Sequence, residues 1–192
     1  NTIHIGFELY STVNNIAYNT YTLLSGFGTA VDITTGVTYD QSDPVIAVSS
    51  TNNVFITWRG KTAAANQYNI RVANSGGSWA ITNITTETTA AYAVSRPAIA
   101  ADTDGYLRIV WSQKNAAYPN AFNIRETAYD GAWNAIHNIT VETTAGRDQI
   151  NPFIGIQKYV AAADWFEITW EGKTSGYASN YNIRTTESYN AF

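Results

Sequence analysis

The chain repeats itself. Phe55-Ile56-Thr57-Trp58 returns as Arg108-Ile109-Val110-Trp111 and again as Glu167-Ile168-Thr169-Trp170. Tyr68-Asn69-Ile70-Arg71 returns as Phe122-Asn123-Ile124-Arg125 and Tyr181-Asn182-Ile183-Arg184, and Asn83-Ile84-Thr85 returns as Asn138-Ile139-Thr140. Asp43-Pro44, Arg96-Pro97 and Asn151-Pro152 open each copy. A self-similar period of about fifty residues restricts a chain to stacked or radially arranged copies of one supersecondary unit, because a single unit cannot bury its own apolar face. Within each copy the apolar residues alternate. Val54, Ile56 and Trp58 share one face while Phe55, Thr57 and Arg59 take the other, and Tyr68, Ile70 and Val72 alternate with Asn69 and Arg71. A period of two is that of half-buried strands. Glycine turns such as Ser75-Gly76-Gly77-Ser78 and Tyr129-Asp130-Gly131 separate them.

Each unit therefore reads as four strands, A to D. Strand A is Pro44 to Ser50, Pro97 to Asp102 and Pro152 to Gln157; B ends in the Trp; C carries Asn-x-Arg; D starts at Trp79 or Trp133 and runs into Asn-Ile-Thr. Four-stranded units repeated radially are the blades of a β-propeller. Strand A is expected innermost, where Ala47, Ala100 and Gly155 suit crowding at the axis. The expected fold is all-β, propeller-like, with roughly three and a half blades, in units of residues 1–43, 44–96, 97–151 and 152–192. The first unit is a divergent copy. Ile3, Ile5 and Phe7 stand for Val54, Ile56 and Trp58, Tyr18-Asn19-Thr20-Tyr21 stands for Tyr68 to Arg71, and Asp32-Ile33-Thr34 for Asn83 to Thr85. On this reading the strands run BCD, ABCD, ABCD, ABC, and Phe192 falls where the last D should begin. The missing strands are then expected from further sequence, from neighbouring copies, or from a four-bladed closure.

These residues resemble the sialidase-type (Asp-box) propeller repeat. Pro97-Ala98-Ile99-Ala100-Ala101-Asp102 followed by Leu107 to Trp111 fits its first half. Asn74-Ser75-Gly76-Gly77-Ser78-Trp79 and the shorter Tyr129-Asp130-Gly131-Ala132-Trp133 are similar to its turn. The resemblance implies the propeller fold, which serves enzymes, lectins and surface proteins alike. Arg71, Arg125 and Arg184, at one position of strand C, would on that resemblance hold a carboxylate; otherwise they make structural pairs or stack on aromatic rings. A weaker similarity is to the fucose-binding propeller lectins, which implies a sugar site from Arg108, Glu126 and Trp133. The other units depart from that set, with Val72 and Thr185 for the Glu and Val54 and Phe166 or Glu167 for the Arg.

Composition narrows function. Charged residues are 14% of the chain and the net charge is −4, which argues against a nucleic-acid binder, since that needs a basic face. No run of 18 apolar residues is present to insert as a membrane helix. Cysteine is absent, so no disulfide framework or thiolate metal site exists. His4 and His137 are isolated, and no metal or cofactor is expected. The acidic turn Asp102-Thr103-Asp104-Gly105 reads as an ordinary turn rather than a calcium loop. Gly60-Lys61-Thr62 and Gly172-Lys173-Thr174 lack the upstream Gly of a phosphate loop and read as turns after a strand. Glu126, Asp164, Glu167 and Glu171 are acidic, yet nothing marks any two as a catalytic pair. Asn83 and Asn138 head glycosylation triplets. Trp58, Trp111 and Trp170 read as core; Trp79 and Trp133 follow turns, where exposed indoles stack on sugars. The expectation is an extracellular or cell-surface recognition module without catalysis, with glycans as partners. The alternatives are a surface-layer or filament subunit joined to copies of itself through open strand edges, and a piece of a sialidase-like glycosidase.

Overall fold

The computed structural model describes residues 1–10, 12–62, 65–157 and 165–188; Asp164 and Phe192 lie outside them. The described residues form fifteen strands in four antiparallel sheets. The first sheet pairs β1 (Thr2–Tyr10) with β2 (Asn14–Thr22), and β2 also carries the short β3 (Gly26–Phe27) and β4 (Val31–Asp32). The second runs β5 (Gln41–Val48), β6 (Val54–Thr62), β7 (Ala65–Asn74), β8 (Thr82–Asn83). The third runs β9 (Ala98–Ala101), β10 (Leu107–Asn115), β11 (Tyr118–Tyr129), β12 (His137–Asn138), and the fourth β13 (Gln149–Gln157), β14 (Trp165–Thr174), β15 (Tyr177–Ser188). In the second, third and fourth sheets each strand pairs with the next in chain order.

The sheets pack face to face in sequence. Ile16 and Ile33 of the first meet Val54, Ile56 and Trp58 of the second. Phe55, Ile70 and Val72 on the other face of the second meet Leu107, Ile109 and Trp111 of the third. Val110 and Ile124 of the third meet Ile154, Phe166, Ile168 and Trp170 of the fourth. The period-two alternation thus serves two interfaces in each of the two middle sheets, one on each face. Strands β1, β5, β9 and β13 neighbour one another in turn, so they gather at the common axis. This is the arrangement of propeller blades, with Ala47 and Ala100 packed against the cores as expected. The outer faces of the first and last sheets are uncovered, with Ile3 58%, Leu9 44% and Ile183 78% exposed.

One polar contact recurs at the heart of the blades. The Trp58 indole and the Arg71 guanidinium both donate to Gln41 Oε1, at 2.8 and 2.9 Å. Trp111 and Arg125 both donate to Gln113 Oε1, at 2.9 and 3.0 Å. Trp170 donates to Gln149 Oε1 at 2.9 Å. Gln41 and Gln149 come from the inner strand, opposite Gly60 and Gly172, whereas Gln113 comes from the next strand, opposite Val94. The amide occupies one place and reaches it from either side.

Three expectations need correction. The Asp-Pro and Asn-Pro pairs do not open their strands. β5 and β13 begin at Gln41 and Gln149, and the ladder slips between Ser42 and Val45 and between Ile150 and Phe153. Proline has no N–H for the ladder, and a bulge absorbs it. Gly60-Lys61-Thr62 and Gly172-Lys173-Thr174 lie within β6 and β14 rather than after them. Their glycines make room for Gln41 and Gln149, and Lys61 and Lys173 sit over the Tyr68 and Tyr181 rings. In the first unit the counterpart of Asn69-Ile70 is Asn15-Ile16, not Asn19-Thr20. Asn15 and Ile16 are buried, and Ala17 pairs with Asp32 as Arg71 pairs with Asn83.

Strand D is also shorter than the sequence suggests. Only Thr82–Asn83 and His137–Asn138 are ladder residues. Ser78 and Trp79 adopt left-handed backbone at φ 52° and 63° behind the turn, which ends the ladder there. Beyond it the Thr side chain replaces the backbone as acceptor, since Ile70 N donates to Thr85 Oγ1 at 2.9 Å and Ile124 N to Thr140 Oγ1 at 2.9 Å.

Candidate functional site

The bulges in the inner strands bring charged groups together at the axis. Asp43 and Asn151 hold left-handed backbone at φ 55° and 50°, a conformation that Asn and Asp tolerate best among non-glycine residues. Each also precedes a proline, which disfavours a helical conformation there. Both side chains, with Arg96 before Pro97, line a cleft of about 910 Å³ at the axis end of the inner strands. Arg59 and Glu171, each one residue past its strand's Trp, line the same cleft. Val45, Ile46, Ile99 and Ile154 form its apolar floor, and the Phe153 ring stands at its side, 66% exposed.

The polar groups are tied to one another. Arg59 Nε donates to Asp43 Oδ2, and Arg96 reaches Asp43 Oδ1 at 3.2 Å. The Asp43 amide donates to Glu8 Oε1 at 2.8 Å, and Asn151 Nδ2 donates to Glu171 Oε1 at 3.2 Å. Partial burial alone would raise the Asp43 carboxyl; the charge and hydrogen bond of Arg59, the charge of Arg96 and the Ser42 hydroxyl outweigh it and hold Asp43 below its ordinary value. A depressed folded-state value adds stability above the ordinary carboxylate range, lost as pH falls through the folded-state value. Asp43→Asn is therefore expected to be less stable than the parent at neutral pH. The gap should close only below about pH 4. Urea midpoints of the two proteins between neutral and acidic pH measure this, and a gap unchanged by acid would refute it.

The residues singled out in the sequence fall elsewhere. Arg108 and Glu126 do meet, at 2.8 Å, but they pair with each other, nearly buried between the third and fourth sheets with Arg108 over Phe166. Trp133 packs on Tyr129, whose ring meets Phe55, at the opposite face, so the three do not converge. The equivalent of Arg108 in the second sheet is Phe55, not Val54. Each blade fills this interface position its own way: His4 against Tyr18, Arg108 against Glu126, Glu167 against Thr185. Trp79 packs on Tyr18 with ring centroids 4.9 Å apart. Arg71 and Arg125 are held by Gln amides and by Asn83 and Asn138, at 2.9 and 3.0 Å from their Nε, and burial pushes both guanidiniums below their usual value. They stand in separate blades and share no cleft. Arg184 occupies the same position on the edge strand β15. The Asn-Ile-Thr triplets thus have a structural use: Asn83 and Asn138 are exposed but accept from arginine, and Thr85 is buried. Asp102 Oδ1 accepts from the amides of Asp104 and Tyr106, which makes its loop a turn closed on itself.

Asp43, Arg59, Arg96, Asn151 and the platform Phe153 were not singled out in the sequence as site residues. The signal was present in the repeat: the residue before the proline is polar in all three copies, and so is the residue after the strand-B Trp.

No protein-family model and no curated protein matches the chain in sequence. Solved structures do match in fold. A Penicillium chrysogenum α-L-arabinanase complexed with arabinobiose is 12% identical with a TM-score of 0.58, over 97% of this chain and 58% of that one. A polysaccharide lyase, an ulvan lyase of family PL25, is 9% identical with a TM-score of 0.50, over 98% of this chain and 54% of that one. The chain spans little more than half the length of either. At such identity the likeness speaks for architecture alone, and it agrees with the sheet order: the chain has a β-propeller fold.

Proposed function

We propose that this chain is an extracellular carbohydrate-recognition module, and that the axis-side cleft is its binding surface. The observation that carries the reading is the exposed Phe153 ring set beside Arg96, Asn151 and Glu171 over an apolar floor. Sugars present an apolar C–H face and a polar rim, so they are bound by an aromatic platform with convergent polar groups. The arabinanase of similar fold was solved with arabinobiose, which supports a sugar ligand on this architecture. Asp43 is clamped by two arginines and held ionised. It is poorly suited to donate a proton, and glycoside hydrolysis needs such a donor. Asp43 is therefore assigned as a binding group rather than a proton donor.

Phe153→Ala is expected to weaken binding of an arabino-oligosaccharide or other glycan found on an array by roughly tenfold, the usual worth of one ring contact. Phe153 is exposed, so the fold should be unaffected. Calorimetric titration of parent and variant measures it. Binding indifferent to Phe153→Ala would move the site elsewhere. The absence of any glycan ligand would leave the uncovered sheet faces, and assembly through them, as the better reading.

A further inference from the structure

We infer that the edge of β15 away from β14 is a preformed receptor for an antiparallel strand of sequence Asn-Ile-Thr-x-Glu. The chain contains two worked examples. In the second sheet, Asn69 Oδ1 accepts from Thr85 Oγ1 at 2.9 Å and from the Glu87 amide, its Nδ2 donates to Glu87 O at 3.0 Å, and Ile70 O accepts from Ile84 N at 2.8 Å. Arg71 Nε then donates to Asn83 Oδ1 at 2.9 Å. The third sheet repeats every one of these contacts with Asn123, Ile124 and Arg125 on one side and Asn138, Ile139, Thr140 and Glu142 on the other.

β15 carries the same three receptor residues, Asn182, Ile183 and Arg184, at the same register against β14. Two of them already hold the receptive pose. Asn182 Nδ2 donates to Asn180 O at 3.4 Å, as Asn69 does to Gln67 O at 3.4 Å and Asn123 to Ala121 O at 3.3 Å. Arg184 Cδ lies where a Cβ on Gly172 would come within 2.6 Å, matching Arg71 Cδ and Gly60 at 2.9 Å. Asn182 and Arg184 therefore stand as their counterparts do in the two sheets that carry this strand. An exposed edge with its ladder groups unpaired invites strand addition, and side-chain pockets supply the selectivity.

The test is a fluorescein-labelled peptide of residues 134–145, which contains His137-Asn138-Ile139-Thr140-Val141-Glu142. Added to the 192-residue chain, it should bind saturably by anisotropy and protect the Ile183 amide from hydrogen exchange. A peptide with Asn138→Ala and Thr140→Ala should bind at least ~10-fold more weakly, as should the parent peptide to Asn182→Ala protein. Asn182 is exposed, so that variant keeps its fold. No binding to the parent protein, binding indifferent to either set of substitutions, or protection that maps to another strand would each overturn the inference.

Discussion

Gly60→Gln alone is expected to destabilise the chain by about 4 kcal/mol, and Gly60→Gln combined with Gln41→Val to recover most of that loss. A Cβ at Gly60 would stand 1.9 Å from Gln41 Oε1 and 2.9 Å from Arg71 Cδ. Gly60 is outside the left-handed region, so space and not backbone excludes a side chain there. Gln41 cannot step aside. It is fully buried, and its amide holds the Trp58 indole, Arg71, Tyr39 O and Lys61 O. Overpacking costs about 1–3 kcal/mol, and breaking those hydrogen bonds in a buried site adds about 1–3 kcal/mol more. Gln41→Val alone should cost about 3 kcal/mol, because it strands a buried indole N–H and a guanidinium. The double variant recreates the third blade, where Val94 faces Gln113 and the same Trp and Arg are satisfied from the other strand. Urea denaturation of the four proteins gives the coupling energy. If the double variant is as unstable as the sum of the singles, the two arrangements are not interchangeable, and the view of the amide as the shared element fails.

That exchange also shows where sequence reading stops. The strands ending in Trp and the strands carrying Asn-x-Arg were legible because their alternation is local. The register of Phe7 against Trp58 follows from the same pattern, and the structure pairs Phe7 with Ala17 as it pairs Trp58 with Arg71. The Gln that completes the blade comes from the inner strand in two sheets and from the next strand in the third, so no fixed column marks it. In the first unit, Tyr18-Asn19 imitates Tyr68-Asn69, and only the burial of Asn15 and Ile16 reveals the true counterpart. The prolines read as strand openers because a lost N–H is tolerated there. A bulge tolerates it equally, and the bulge is what aims Asp43 and Asn151 at the axis. The candidate site thus rests on backbone geometry that alternation cannot encode.

Asn123→Ala and Asn182→Ala are the same substitution at equivalent positions, and they are expected to differ by about 3 kcal/mol. Asn123 is fully buried and makes four hydrogen bonds, two accepted from Thr140 Oγ1 and the Glu142 amide and two donated to Ala121 O and Glu142 O. Its removal leaves Thr140 and both backbone groups of Glu142 without these partners, in a sheet whose fourth strand has only two ladder residues. That strand is held by side chains more than by backbone, so loss of Asn123 should release residues 138–144 as a unit and cost about 3 kcal/mol globally. Hydrogen exchange at Ile139 and Thr140, whose amides both donate to Ile124 O, should accelerate before the rest of the sheet. Among the described residues the Asn182 side chain bonds Asn180 O and lies exposed, so its truncation should stay within about 0.5 kcal/mol. Equal losses at the two positions would mean that the Asn acts within its own strand. The recurring triplet would then no longer explain how the short outer strands are held, and the receptor argument for β15 would lose its physical basis. Unequal losses, with exchange accelerating only at Asn123's partners, would show that the repeat stores its outer-strand affinity in one side chain per blade.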